Sequence, residues 1–192
     1  MLKKLSDVVN IYLGITHTPN YTDNGIPFLS VKDISNGKID FSNCKYISET
    51  EFNSFPIGAK PLVDDLLFCR VGTLGKPILI DSTIPTFGSF VSLGFFRKKT
   101  ENINLNYIKY WMNSKNFYDQ VEQNVNGSSQ KNLNTGWLKN FTFIYRKIEE
   151  QNLIVEELNK IEIAINYKNS ELDLLNKLVK SRFICQEACW WN

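Results

Sequence analysis

The chain has 192 residues, of which 43% are hydrophobic and 22% are charged; this composition excludes wholesale disorder and allows one domain with a buried core and an appended element. Its net charge of +2 is too small to indicate a partner by itself, and one histidine with four cysteines cannot form a Cys/His zinc site of the usual spacing. The opening residues contain no long apolar segment and no cleavage site, so we expect no signal peptide, no membrane contact and free thiols in a reducing cytoplasm.

The first hundred residues indicate short β-strands separated by turns. Apolar runs alternate with clusters of Gly, Pro, Asn and Asp, and the predicted strands include "GIPFLSV", "KPLVDDLLFCRV", "KPILI" and "SFVSLGFF". The segments "LLFCRV" and "PILI" flank "GTLG", whose glycines suit a tight turn. We therefore predict a β-hairpin at this turn.

The hydrophobic period changes after residue 100. Between residues 103 and 125 apolar residues recur every three or four positions, which predicts one amphipathic helix ending near Asn126 and Gly127. Further on, "WLKNFTFIYRK" alternates in the manner of a final strand.

Between this helix and this strand lies "NGSSQKNLNT", residues 126–135, in which Leu133 is the only apolar residue. Solvent alone tolerates such a polar stretch, but its amides can also bond base edges while a lysine meets phosphate. Residues 97–139 hold seven basic and three acidic residues, which fits a phosphate-facing surface or an ordinary solvated face. Charge alone does not separate these two interpretations.

The last part of the chain indicates one long helix. No Gly or Pro occurs after residue 136, and apolar residues form a heptad seam interrupted by Lys168: Ile154, Leu158, Ile161, Ile165, Leu172, Leu175 and Val179. A helix over roughly residues 149–187 would be about 58 Å long, which is longer than a small domain is wide. We therefore expect it to pair with a second helix, with packing against its own domain as the alternative.

The sequence motifs that accompany catalysis are missing. His17 lies in a Thr/Pro/Asn-rich loop without a nucleophile elbow, and "GTLGK" is too short to wrap phosphates as a P-loop. Asp64 and Asp65 lead directly into a predicted strand and fit a solvated turn better than a metal pair. We therefore predict a protein that binds rather than one that reacts.

Five stretches together carry a family likeness: "KLSDVVNIYLGITHTPNY", "NGIPFLSVKDIS", "VGTLGKPILI", "NGSSQKNLNTGWLKNFTF" and "IEEQNLIVEELNKIEIAI". In this order they resemble one half of a specificity subunit from a type I restriction–modification system, and the likeness runs from residue 3 to about residue 184. Two features depart from that family. The segment "IYRKIEEQ" lacks the usual Pro pair before the helix, and "CQEACWWN" ends in two tryptophans.

The resemblance implies an α+β fold with a mixed, strand-rich target recognition domain followed by one long α-helix. The recognition domain would occupy residues 1–147, the dimerisation and spacer helix residues 148–187, and a short tail residues 188–192. Such a domain reads one half of a split site in double-stranded DNA. Methylation and cleavage, with S-adenosylmethionine, ATP and Mg²⁺, would belong to modification and restriction subunits, so this chain would need no cofactor or metal of its own.

A full-length member of the family carries two recognition domains and two such helices, whereas this chain holds one of each. We therefore expect an antiparallel homodimer built on the heptad seam, which would require a palindromic, interrupted DNA site. The alternative is an assembly module that no longer binds DNA, including a silent or truncated cassette.

Candidate DNA contacts come from three predicted loops. The polar stretch supplies Ser128, Gln130, Lys131, Asn132 and Asn134, a loop nearer the N-terminus supplies Thr16, Thr18 and Tyr21, and Lys76 lies beside the predicted hairpin.

These candidates have structural alternatives. Gln130 or Asn132 could bond adenine and Lys131 could lie on phosphate, but Ser128 and Gln130 could equally brace the loop and Asn134 could cap a turn. Arg70, inside a predicted strand, is as readily a structural ion-pair partner.

Overall fold

The structure is a computed structural model that describes residues 1–35, 37–72, 74–125 and 132–189. Contacts among these residues divide the chain into two units, Met1–Asn152 and Leu153–Asn192. The predicted boundary at residues 147 and 148 stays a prediction.

The first unit contains short strands and helices. The strands are β1 Leu2–Lys4, β2 Val9–Leu13, β3 Tyr21–Thr22, β4 Ile26–Leu29, β5 Ile34–Ser35, β6 Lys38–Ile39, β7 Lys45–Ile47, β8 Leu66–Cys69, β9 Gly75–Leu79, β10 Gly88–Ser89, β11 Leu93–Lys98 and β12 Thr142–Ile144. The helices are α1 Glu49–Ser54, α2 Leu105–Met112, α3 Lys115–Val125, α4 Thr135–Asn140 and α5 Ile148–Cys189, of which α5 continues into the second unit.

Two four-stranded sheets form the frame of the first unit. One has the order β2-β11-β8-β9 with antiparallel neighbours. The other has the order β10-β4-β7-β3, in which β10 and β4 are parallel. The pairs β1 with β12 and β5 with β6 form two small sheets.

Strand β8 is buried on both faces, which explains the unbroken apolar run "LLFC". Leu66 and Phe68 point into one core with α2 and α3, whereas Leu67 and Cys69 point into a second core with β4. The rings of Phe68 and Phe96 lie 4.5 Å apart in the first core. Because successive side chains of β8 point to opposite faces, this strand contributes to both cores.

The predicted hairpin is confirmed, because β8 and β9 pair antiparallel around the turn that contains "GTLG". The predicted strand "SFVSLGFF" is instead two strands, β10 and β11, separated by residues 90–92. Phe90 donates its amide hydrogen to Leu29 and Val91 donates to Ile15, so these residues leave the ladder of β11 to bond elsewhere.

The single helix predicted for residues 103–125 is wrong, because α2 ends before Asn113 and α3 begins at Lys115. Ser114 Oγ donates to the Trp111 carbonyl at 2.6 Å, and Asn113 Nδ2 donates to the Lys109 carbonyl at 3.2 Å. Polar side chains that bond nearby main chain compete with helix continuation. The apolar period survives the break, because Trp111 and Phe117 pack edge to face at 5.2 Å.

The predicted final strand over "WLKNFTFIYRK" is correct only in its middle. Asn134 Oδ1 accepts from Gly136 N at 2.7 Å and caps α4, so the first part of this segment is helical and β12 is short. Asn134 therefore has the capping role that was the predicted alternative to a DNA contact.

The long helix is confirmed: α5 runs over 42 residues, or about 63 Å. In its first turn the buried Gln151 side chain accepts from Asn104 N at 2.9 Å and donates to the Asn102 and Arg146 carbonyls. Among the described residues no helix is long and apolar enough to cross a membrane. The α+β fold class with a strand-rich domain and a long final helix is confirmed.

Candidate nucleic-acid interface

The end of β10 and its connection to β11, residues 89–92, hold the first residues of the loop that carries Thr16 and Thr18. Ile15 N donates to the Ser89 carbonyl at 2.9 Å, and Val91 N donates to the Ile15 carbonyl at 2.8 Å. A Cβ added at Gly14 would overlap the Ser89 carbonyl oxygen, so only glycine permits this approach. The loop over residues 16–20 therefore begins at Ile15, which is hydrogen-bonded to Ser89 and Val91.

The β8–β9 hairpin is bound to the same four residues through Arg70. Arg70 N donates to the Ser92 carbonyl at 2.9 Å, and its guanidinium Nη1 donates to the Val91 carbonyl at 3.2 Å. The connection from β8 to β9 therefore also begins at this place.

The polar stretch returns to the domain beside the hairpin. Leu133 N donates to the Arg70 carbonyl at 2.8 Å, Arg70 Nε donates to the Leu133 carbonyl at 3.0 Å, and Asn132 forms an antiparallel bridge with Val71. The Leu133 side chain is fully buried. We name residues 89–92 together with Ile15, Arg70 and Leu133 the loop junction, because the stems of all three predicted loops meet there.

The N-terminal candidates lie on exposed positions near the junction. Thr16 and Thr18 are exposed, whereas Tyr21 lies in β3 rather than in a loop. The Tyr21 ring is covered by Lys45 Nζ at 4.0 Å and packs edge to face with Phe28. The cation that Lys45 places over Tyr21 suits a phosphate contact better than base stacking on the Tyr21 ring.

Lys76 lies within β9 rather than beside the hairpin, at an irregularity where the ladder between β8 and β9 shifts register. Its φ of 50° is in the left-handed region, next to Gly75 at 82°. A bulge of this kind re-aims a side chain, and the Lys76 side chain is exposed. A strained, outward-directed lysine is consistent with its predicted DNA contact.

The candidates from the polar stretch have different fates. Ser128, Gln130 and Lys131 lie outside the described residues. Asn132 Oδ1 is buried and accepts no hydrogen bond from any described residue. Asn134 uses its Oδ1 to cap α4, so a DNA contact would have to use other atoms of the side chain.

Arg70, for which the sequence left a DNA contact and a structural ion-pair partner open, is a residue of the loop junction and lies directly after β8. Among the described residues it forms no ion pair and instead bonds two carbonyls from different segments. The ion pair belongs to Arg97, which binds Asp65. An arginine directly after an entirely apolar strand was the available signal, but its acceptors lie 21 and 63 residues away in sequence.

Cys69, the residue before Arg70, is a buried thiol. Burial raises the pKa of the Cys69 thiol to about 11, with the charge of Lys76 acting in the opposite direction. The thiol is therefore protonated at neutral pH and is a poor nucleophile. No group of three His, Cys, Asp or Glu side chains able to hold a metal ion occurs in the described part of the chain.

The heptad seam is found on the second unit. Ile154 and Leu158 are half-buried, while the remaining seam residues are exposed: Ile161, Ile165, Leu172, Leu175 and Val179. Lys168 pairs with Glu171 at 2.8 Å on its own helix. Further apolar side chains outside the seam are also exposed, namely Ile163, Tyr167, Leu174 and Leu178.

The fold is similar to part of solved specificity subunits of type I restriction–modification systems. The HsdS subunit from Thermoanaerobacter tengcongensis superposes with a TM-score of 0.62 at 17% identity, over 86% of this chain and 38% of that chain. The type I restriction-modification S subunit from M. genitalium gives a TM-score of 0.56 at 15% identity, over 84% of this chain and 38% of that one.

Curated relatives carry the same description. The type I restriction enzyme MjaVIII specificity subunit of Methanocaldococcus jannaschii is 25% identical over 182 residues, which are 92% of this chain and 43% of that protein. The putative MjaX specificity subunit of the same organism is 22% identical over 186 residues, 93% of this chain and 43% of that protein. No family model matches the chain. The predicted resemblance is confirmed, and the chain spans less than half the length of these relatives.

Proposed function

We propose that the chain is a sequence-specific DNA-binding specificity subunit of a type I restriction–modification complex. The observation that carries this proposal is the loop junction, where hydrogen bonds join Ile15, Arg70 and Leu133, which flank the three predicted loops, to one another or to residues 89–92. Sequence readout needs several side chains held in fixed relation to neighbouring base edges. The relatives and structural neighbours named above bear specificity-subunit descriptions, which supports the same role.

The chain would read one half of a bipartite site. Gln130 would bond a base edge, whereas Asn132 could do so only through its Nδ2, because its Oδ1 is buried. Lys131 and Lys76 would lie on phosphates, so the contacts divide into those that specify and those that position. A homodimer would supply the second half-site in inverted orientation, so the whole site would be an interrupted palindrome.

The helix α5 would hold the two copies together. In an isolated helix the apolar side chains of the seam are exposed to water. A second, antiparallel copy that packs against the seam would bury them, and this burial would stabilise the dimer. A spacer of this length would separate the half-sites by about one helical turn of DNA or somewhat more, with one turn taking about 34 Å.

The chemistry of modification would lie in partner subunits. Modification and restriction subunits would bring S-adenosylmethionine, ATP and Mg²⁺, while this chain supplies DNA recognition and a docking platform in the cytoplasm. The chain itself would not be an enzyme, in keeping with a junction built from hydrogen-bonded main chain and a protonated thiol.

The test is selection of the full chain on a randomised duplex library, followed by binding measured over a range of salt. We expect an interrupted palindrome and a steep log–log salt slope, because phosphate contacts release counterions. Co-expression with a matching modification subunit should methylate the same motif. A helical assembly without DNA affinity at any salt would support the assembly-module alternative instead.

A further inference from the structure

We propose that Arg70 is the positioning residue for sequence readout: its guanidinium fixes the place where the polar stretch returns to the domain relative to the β8–β9 hairpin. This inference rests on the proposed function. It assigns a role in specificity to a residue that need not touch DNA itself.

Arg70 bonds two carbonyls that belong to different parts of the loop junction. Nε donates to Leu133 at 3.0 Å and Nη1 donates to Val91 at 3.2 Å. The guanidinium is planar and its donors diverge at fixed angles, so the two acceptors are held at a fixed separation. The side chain is partly buried and forms no ion pair within the described residues.

The main chain of Arg70 strengthens the same connection. Its amide donates to Ser92 at 2.9 Å and its carbonyl accepts from Leu133 at 2.8 Å. One residue therefore makes four hydrogen bonds at the junction, two through the side chain and two through the main chain. The side-chain pair is the part that a substitution removes.

The consequence concerns the residues on either side of Arg70 and Leu133. Val71 begins the hairpin turn and bridges Asn132, the last residue of the polar stretch before Leu133. Because a base-edge hydrogen bond weakens over a few tenths of an ångström, a small shift of the Val71–Asn132 bridge would misplace the base contacts of the polar stretch. Phosphate contacts, which depend on charge at longer range, tolerate the same shift.

Arg97, in the strand β11 that pairs with β8, provides a matched comparison. It is also a partly buried arginine, but its guanidinium bonds Asp65 and the Lys60 carbonyl, and among the described residues no hydrogen bond joins that guanidinium to the loop junction. A general structural requirement for an arginine would therefore be seen at both positions, whereas a positioning role would be seen only at Arg70.

The experiment uses the full chain with the duplex that the wild-type protein enriches from a randomised library, and a scrambled duplex of the same composition. Arg70→Lys keeps the charge but cannot hold both carbonyls in the guanidinium geometry, and Arg70→Gln is a second, uncharged variant. We expect either variant to lose roughly tenfold or more of the preference for the enriched duplex, since a bidentate base contact discriminates by about that factor. Arg70→Lys should bind the scrambled duplex as the wild type does, and Arg97→Lys should keep the wild-type preference.

Each result decides the matter. Retention of the wild-type preference by a folded Arg70→Lys or Arg70→Gln protein overturns the positioning role while leaving the proposed function intact. An equal loss of preference in Arg97→Lys overturns it as well, because the effect would then be a general loss of structure. A wild-type protein that enriches no motif overturns the proposed function and this inference together.

Discussion

Arg97 and Asp65 face each other across the β8–β11 sheet in a two-bond ion pair. Nε lies 2.9 Å from one carboxylate oxygen and Nη2 lies 2.7 Å from the other. Asp65 is almost fully buried and also accepts from Leu62 N at 2.9 Å, while Arg97 stacks on the Tyr12 ring at 4.9 Å. The hydrogen bonds that Arg97 donates to the Asp65 carboxylate are the main cause that raises the pKa of Arg97, so the guanidinium stays charged at neutral pH.

This pair predicts a large loss of stability on removing the carboxylate. Asp65→Ala leaves a partly buried guanidinium without its charge partner and the Leu62 amide without its acceptor. We expect the free energy of unfolding to fall by about 3–5 kcal/mol. Urea denaturation followed by circular dichroism measures this loss.

The matched control is Asp119→Ala, which removes the exposed Lys115–Asp119 pair on α3. Exposed pairs of this type contribute about 0.5 kcal/mol or less. Equal effects of Asp65→Ala and Asp119→Ala would mean that the Arg97–Asp65 pair is not part of the stable frame.

The exposed seam of α5 predicts self-association. Ile161→Asp combined with Ile165→Asp places two carboxylates on the seam, and we expect a monomer in place of a dimer by sedimentation equilibrium. Ile163→Asp is the control, because Ile163 is exposed to 68% but lies off the seam. A dimer that survives the double substitution would show that the seam is not the dimer interface.

Asn134 separates a capping role from a DNA-reading role. Asn134→Ala should lower the free energy of unfolding by about 1 kcal/mol, because the side chain caps α4. Asn134→Ser keeps a capping oxygen and should restore stability. Unchanged sequence preference in Asn134→Ser would assign the residue to capping, whereas a changed preference with wild-type stability would assign it to readout.

Lys76 is expected to act on phosphate rather than on bases. Lys76→Asn removes the charge with a residue that tolerates the left-handed backbone conformation. We expect the plot of log binding constant against log salt concentration to become less steep by about one unit of slope. The DNA motif that the protein enriches should stay the same. Lys177→Gln on α5 removes the same charge and should leave the slope as it is. A slope that does not respond to Lys76→Asn would remove Lys76 from the DNA-binding surface.

Patterns within short stretches of sequence were sufficient to predict the elements that depend on neighbouring residues. The apolar runs around "GTLG" predicted the β8–β9 hairpin, and the heptad repeat without Gly or Pro predicted α5. The break at Asn113 and Ser114 was missed because the apolar period continues across it while the main chain does not. The spacing of apolar residues therefore indicates which face of a helix is buried, but it does not indicate whether the helix is continuous.

The loop junction could not be predicted in the same way. Its bonds join Ile15 to Ser89 and Arg70 to Leu133, pairs that are far apart in sequence and are mostly linked through main-chain atoms. Main-chain donors and acceptors are the same for every residue except proline, so they leave no trace in composition or spacing. The polar composition of the loops was visible, whereas their common origin was not.

Hydrogen bonds between main-chain atoms hold the residues that flank the loops. Because those bonds do not depend on which side chains the loops carry, the loop sequences can change in evolution while the fold of the domain stays the same. Gly14 and Arg70 are exceptions, since each supports the frame through what its side chain lacks or provides. New preferences can therefore arise by altering the variable segments alone, provided that these two positions are kept.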